Sequence, residues 1–278
     1  MKIHGLHPTP KDPRDFPLEK IFGSANPTNL PNEYVVSKPL VIKDQGDTDM
    51  CTAYALTAVS EDQEGVILDP FYTFGATKRI TGRPDDWGAD LRSACKSAIA
   101  SNGGGFLPAT ARGVNVEQTA TEEDRKNAVA RGVGSGEAWA IKKYAKETYF
   151  AVNTSGDVFD SMRSAMWQTR SEERSIFTGI DWNPEWDNWK GGFIDRAEYG
   201  NTYGHAIKIF GWDGDWALAQ LSNGRHIGEG GIFKLHRDVV NAFCKYGAFT
   251  LLDLPREVAE YELGKIGYWN YWLKSFFA

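Results

Sequence analysis

Cysteine is scarce in this sequence: Cys51, Cys95 and Cys244 are the whole complement in 278 residues. Three scattered thiols exclude a disulfide framework, point to a reducing compartment and offer no recognisable zinc-ligand spacing. No apolar run approaches the roughly 20 residues needed to cross a bilayer. The segment Met1–Gly5 lacks the apolar stretch of a signal peptide. A chain made in the cytoplasm, without a membrane partner, is therefore expected. Lys and Arg never cluster and the net charge is −6, so a nucleic-acid partner is not expected either. No cofactor is implied.

What is present is an ordinary globular composition, 41% hydrophobic and 24% charged, long enough for a large core. Residues 1–40 are rich in Pro and Asn, and Pro removes backbone donors and fixes φ, so an extended arm is expected there. Met50–Val59 is apolar nearly all round and reads as a buried helix, with Asp47 or Thr48 as its N-cap. Asp90–Ala100 reads as a second helix, with Cys95 on its apolar stripe and the Gly-rich segment from Ser101 to Gly105 as its stop. Glu117–Lys126 is polar and reads as a surface insertion or exposed helix. Short apolar runs at Ser175–Ile180, His205–Phe210, Trp216–Leu221 and Gly231–Leu235 are separated by Gly, Asp and Asn, which predicts antiparallel strands. Helices first and strands second give an α+β chain with two lobes, over 41–150 and 151–255, and a site in the cleft between them. The tail over 256–278 is strongly aromatic. It either packs back on the body or docks into an assembly partner, a role the arm could share.

Chemistry concentrates around Cys51. A cysteine at the start of a buried helix sits where unpaired amides stabilise a thiolate, the reactive form. Gln45, six residues earlier, can aim its amide into the same place. A side-chain amide and a backbone N–H at a helix start are the donors an oxyanion hole needs. His205, at the start of a predicted strand behind Gly204, can supply the base. A lone histidine beside a strand is more often structural, and it is the pairing with Gln45 and Cys51 that favours catalysis.

Here the chain resembles the papain family of cysteine peptidases, particularly its forms without a large inhibitory propeptide. Asp44-Gln-Gly-x-x-x-x-Cys-Thr-Ala-Tyr-Ala matches the family's Gln-Gly…Cys-x-Ala-Phe-Ala motif in spacing. Gly204-His-Ala-Ile-Lys-Ile-Phe-Gly-Trp-Asp resembles its histidine motif, and Gly228-Glu-Gly-Gly-Ile-Phe its closing strand. His205 follows Cys51 by 154 positions, close to the roughly 130–150 of papain-like enzymes. The resemblance implies a papain-like two-lobed fold, a helical lobe and a β-rich, barrel-like lobe, with the active-site cleft between them. It implies hydrolysis of a peptide or protein substrate through a Cys51 thioester, with His205 as general base and Gln45 at the oxyanion.

Two departures stand out. Where the family has Gly-Ser before the nucleophile, this chain has Asp47-Thr-Asp-Met50. A carboxylate there opposes thiolate formation, less so if Asp49 points outward as a helix cap. Where the family's orienting asparagine begins an Asn-Ser-Trp-Gly motif, the chain has Leu221-Ser-Asn-Gly224, placing Leu221 at the asparagine and Asn223 at the tryptophan. Either Asn223 shifts to the imidazole, or catalysis runs without a third member. An alternative is thus a catalytically weakened papain-like module with a structural or binding role in a larger assembly such as a virion. Transglutaminase-like acyl transfer and cell-wall amidase chemistry share the Cys–His pair but fit the Gln45–Cys51 segment less well. Paired-carboxylate sugar cleavage around Trp182–Trp189 is a further reading, although those tryptophans first suggest packing.

Overall fold

The computed structural model describes residues 5–9, 12, 15–23, 25–196 and 200–253. The aromatic tail expected over 256–278 lies outside the described residues, as do 1–4, 10, 11, 13, 14 and 24 of the expected arm. In chain order the elements are α1 (Glu19–Phe22), β1 (Glu33–Val35), α2 (Cys51–Glu64), α3 (Pro70–Thr81), α4 (Leu91–Ser97), α5 (Glu122–Ala130) and α6 (Ala138–Lys143). They continue with β2 (Thr148–Ala151), α7 (Val158–Gln168), β3 (Ile176–Trp182), β4 (Phe193–Ile194), β5 (Tyr203–Asp213), β6 (Trp216–Gln220), β7 (Ile232–His236), α8 (Arg237–Phe243) and β8 (Ala248–Leu252). The α+β expectation holds, with most helices ahead of most strands.

The strands form one sheet in the order β2-β8-β3-β5-β6-β7-β4, with β1 added alongside the end of β5. All pairs are antiparallel except β4 with β7. The barrel-like closure expected for this half does not occur. β2 and β4 are open edges among the described residues, and β4, two residues long, offers too few ladder bonds to close against β2. β5 is buried over most of its length because α2 packs against it on one side and α7 on the other. That explains why Ala206–Trp212 reads as a near-continuous apolar run rather than an alternation.

α2 outruns the sequence pattern by five residues, from Val59 to Glu64, and its later turns bury Glu61 and Asp62. Both carboxylates are paired. Lys43 Nζ lies 2.7 Å from Glu61 Oε1, and Lys208 Nζ donates to Asp62 Oδ1 at 2.6 Å and to Ala58 O at 3.0 Å. Ser37 Oγ donates to Asp62 Oδ1 at 2.6 Å, and Ser175 Oγ donates to Asp62 Oδ2. Burial lowers the Lys208 pKa, with Asp62 opposing. The bridge is more than local, because it pins the cysteine helix to the histidine strand.

α4 begins as the sequence indicates, with Asp90 Oδ1 accepting from Ser93 N at 2.9 Å, and Cys95 is core. It stops at Ser97, three residues early, because Ile99 leaves to bridge Lys146 and Ala100 N donates to Lys146 O at 2.8 Å. α5 carries a reciprocal Thr121–Asp124 capping box. It is an exposed helix except for Arg125 and Ala128, which turn inward.

Removing one partner of a buried pair leaves the other charge uncompensated, at a cost of about 3–5 kcal/mol. Asp62→Asn and Lys208→Met are each expected to lower the urea midpoint accordingly. The double change Asp62→Asn with Lys208→Met is expected to cost clearly less than the sum of those two single changes.

Candidate active site

Cys51 is the first residue of α2, and no side chain caps this helix; Met50 occupies the cap position. The Asp47 or Thr48 cap expected from the sequence is not formed. Thr48 Oγ1 donates instead to Gln45 O at 2.7 Å, and Asp47 is exposed. Ala53 N donates to Met50 O at 3.0 Å, and the amides of Cys51 and Thr52 ahead of it receive no cap from the Met50 side chain.

The loop ahead of the helix is built by its own side chains. Asp44 Oδ1 accepts from Gly46 N at 2.9 Å and Asp44 Oδ2 from Thr119 Oγ1 at 2.7 Å. Gly46 adopts φ +58°, and a side chain there would collide with Ala120 O, so the Gln-Gly step is required by the turn. Gln45 is buried. Its Nε2 donates to Thr48 O at 2.8 Å and its Oε1 accepts from Ser222 Oγ at 2.6 Å. The amide is thus oriented from both ends, and its second N–H is not used by either bond.

Asp49 does not point outward as a cap. It is buried, with Oδ1 accepting from Arg125 Nε at 2.7 Å and Oδ2 from the amide of Gly88. The carboxylate turns inward because a buried guanidinium and a loop amide are there to pair with it. It therefore braces the pre-cysteine loop against α5 and against the strand-like edge at Gly88–Ala89.

His205 is buried on β5, opposite Ile180 of β3. Its ring centroid lies 5.7 Å from that of Trp182. Ala206, the next residue, packs in one apolar cluster with Cys51. The structure thus brings Gln45, Cys51 and the His205 strand together. Leu221 is buried in the apolar cluster that includes Trp182. Asn223 is also buried, and neither polar atom of its side chain has a hydrogen-bond partner among the described residues.

Sequence reasoning missed the first described residues, 5–9, which lie in the cleft. Leu6 bridges Ala89 in parallel, with His7 N donating to Ala89 O at 3.0 Å and Ala89 N to Gly5 O at 2.7 Å. On the other wall Leu6 N reaches Gly204 O at 3.4 Å. Side chains at Gly179 or Gly204 would collide with Leu6, and Leu6 packs in one cluster with Cys51 and Ala206. A single apolar residue in a polar, Pro-rich arm carries no periodic signal that could have revealed this. A groove of about 820 Å³ continues alongside, lined by Thr9, Arg92, Val152, Tyr246 and Phe249 among others. Under this cover Cys51 is 0% exposed. Burial is the main reason its pKa is pushed up to about 12, and the nearby Asp49 charge adds to the rise.

No protein-family model and no curated protein sequence matches the chain. Solved structures do. Xylellain, a cysteine protease from Xylella fastidiosa, superposes with a TM-score of 0.73 at 18% identity, covering 90% of this chain and 96% of that one. The bromelain protease from Ananas comosus, solved in complex with the E64 inhibitor, gives 0.57 at 17% identity over 80% and 99%. Digestive procathepsin L 3 of Tenebrio molitor larval midgut gives 0.58 at 15% identity over 86% and 76%. The chain has the papain-like fold. Within that fold, Cys51 starts the long buried helix α2, and His205 stands on β5, the strand against which α2 packs. No helix among the described residues is long and apolar enough to cross a membrane.

A thiol held at about 12 is almost wholly protonated at pH 7, and the thiolate is the nucleophile. Iodoacetamide labelling of Cys51 in the intact chain is therefore expected to run at least roughly tenfold slower than that of a free thiol. Leu6→Asp, which disfavours the apolar slot, is expected to raise the Cys51 rate by about tenfold or more at pH 7, as followed by peptide mapping.

Proposed function

We propose that the chain is a cysteine peptidase that hydrolyses peptide or amide bonds in extended segments of peptide or protein substrates. The observation that carries this is the set at the start of α2: a thiol at an uncapped helix N-terminus, a twice-anchored glutamine amide and a histidine strand against the same sulfur. In this reading His205 takes the Cys51 proton as the sulfur attacks the substrate carbonyl carbon. The oxyanion forms toward the Cys51 backbone N–H and the free N–H of Gln45. The intermediate collapses as His205 passes the proton to the leaving amine, giving an acyl-thioester. Water, deprotonated by His205, then attacks that thioester and restores the thiol.

The residues 5–9 supply the reason for an extended substrate. Their backbone already pairs with Ala89 on one wall and Gly204 on the other, which are the edges a substrate backbone would use once those residues leave. Asn223, buried with an uncommitted amide, is proposed to steady the imidazole in the opened cleft, since Leu221 has no acceptor to offer.

A second reading, a binding module without turnover, is favoured by Leu221 and by the cover over Cys51. The two readings separate on one experiment. Peptide turnover and labelling by a thiol-reactive active-site probe are measured on the full chain, on Leu6→Asp, and on Cys51→Ala, His205→Ala, Gln45→Ala and Asn223→Ala made in that variant. A peptidase loses all turnover with Cys51→Ala, about 10³-fold or more with His205→Ala and about 10²–10³-fold in kcat with Gln45→Ala. Asn223→Ala is expected to lower kcat by roughly tenfold while KM holds. Labelling of Cys51 that stays indifferent to His205 once the cover is displaced would favour the binding module.

A further inference from the structure

We infer that Trp182, oriented by Asp187, is a positioning residue for the His205 imidazole, acting beside Asn223; this rests on the peptidase reading above. The case begins at Leu221. Ser222 is locked to Gln45 by two bonds, Ser222 Oγ to Gln45 Oε1 at 2.6 Å and Gln45 N to Ser222 O at 2.7 Å. That register fixes Leu221 as a buried core residue, so what it presents is an apolar surface and no acceptor.

Trp182 is the last residue of β3. It pairs across the strands with Tyr203 and is therefore diagonal to His205, two positions further along β5. Diagonal neighbours lie within reach of aromatic side chains, and the two rings sit 5.7 Å apart at an interplanar angle of 57°. The indole cannot give way. Its Nε1 donates to Asp187 Oδ1 at 3.0 Å, Trp186 meets it edge-on at 5.0 Å, and Phe233 does the same at 5.6 Å. Asp187 Oδ1 also accepts from Tyr203 OH at 2.5 Å, so one carboxylate fixes side chains at the end of β3 and at the start of β5. An imidazole against this wall has its χ angles restricted by packing. The aromatic wall thereby serves the orienting purpose that a leucine at 221 cannot.

The test uses the full chain carrying Leu6→Asp, with Trp182→Leu, Trp182→Phe, Asp187→Leu and Asp187→Asn added singly. Two readouts are taken: kcat and KM on a peptide, and the ring-proton chemical shifts of His205 by NMR. Ring shifts report the indole contact whether or not the chain turns over peptide, so absence of turnover in the parent counts against the peptidase reading alone. Trp182→Leu is expected to lower kcat about 30-fold or more with KM within about twofold, and to move the His205 ring protons off their indole-shifted positions. Trp182→Phe, which keeps a ring but loses the bond to Asp187, is expected to fall between. Asp187→Asn, still an acceptor for the indole, is expected to retain most of the kcat that Asp187→Leu loses. Should Trp182→Leu prove unfolded by circular dichroism, the Phe and Asp187 variants decide. Unchanged His205 ring shifts in folded Trp182 variants, or a kcat within about threefold of the parent in all four, overturns the inference.

Discussion

The buried bridge between Asp62 and Lys208 is the constraint on which the rest of this structure depends. α2 carries Cys51 at one end and Asp62 near the other, while β5 carries His205 three residues before Lys208. Burying both charges is costly in isolation, and the arrangement is tolerable because Ser37, Ser175 and the Ala58 carbonyl satisfy what remains. A helix and a strand from opposite halves of the chain thereby acquire a fixed relative position. Greasy contact alone would permit them to slide, since apolar surfaces are non-directional, whereas a hydrogen-bonded ion pair selects one register.

The cleft at the other end of α2 follows the same logic with different partners. Asp49 stands where the papain-family pattern has small residues, yet it is spent on Arg125 and the Gly88 amide rather than on crowding the thiol. Residues 5–9 then run across the edge that Asp49 braces, and Leu6 fills the apolar space between the walls. A rigid rim and a fitted plug are complementary: preorganised backbone edges at Ala89 and Gly204 receive the chain's own residues.

How much of this was legible depended on whether a signal was local. The Gln45–Cys51 spacing, the apolar helix and the strands around His205 are written in contiguous residues, and the structure brings them to one place. β1, β2 and β8 were not singled out, each being a run of only three to five residues. The open sheet was misread because closure depends on how far the edge strands reach, which no motif records. The Asp49 carboxylate does oppose the thiolate as the sequence implies, but its pairing with Arg125 was not legible, because that residue lies 76 positions away. Ser222 meets Gln45 across 177 positions, a contact that spacing alone does not record. The contact of Trp182 with His205 was not legible either, because it needs the cross-strand pairing of β3 with β5 and not just the order of residues.

The cover over Cys51 has a consequence beyond substrates. A sulfur with no exposed surface and a strongly raised pKa offers peroxide neither access nor a thiolate. Cys95 and Cys244 are likewise buried, their thiols raised chiefly by burial. With Leu6 seated, the Cys51 sulfur is held in a reduced form. Displacing that single leucine would start its exposure to oxidative inactivation at the same moment as its exposure to peptide.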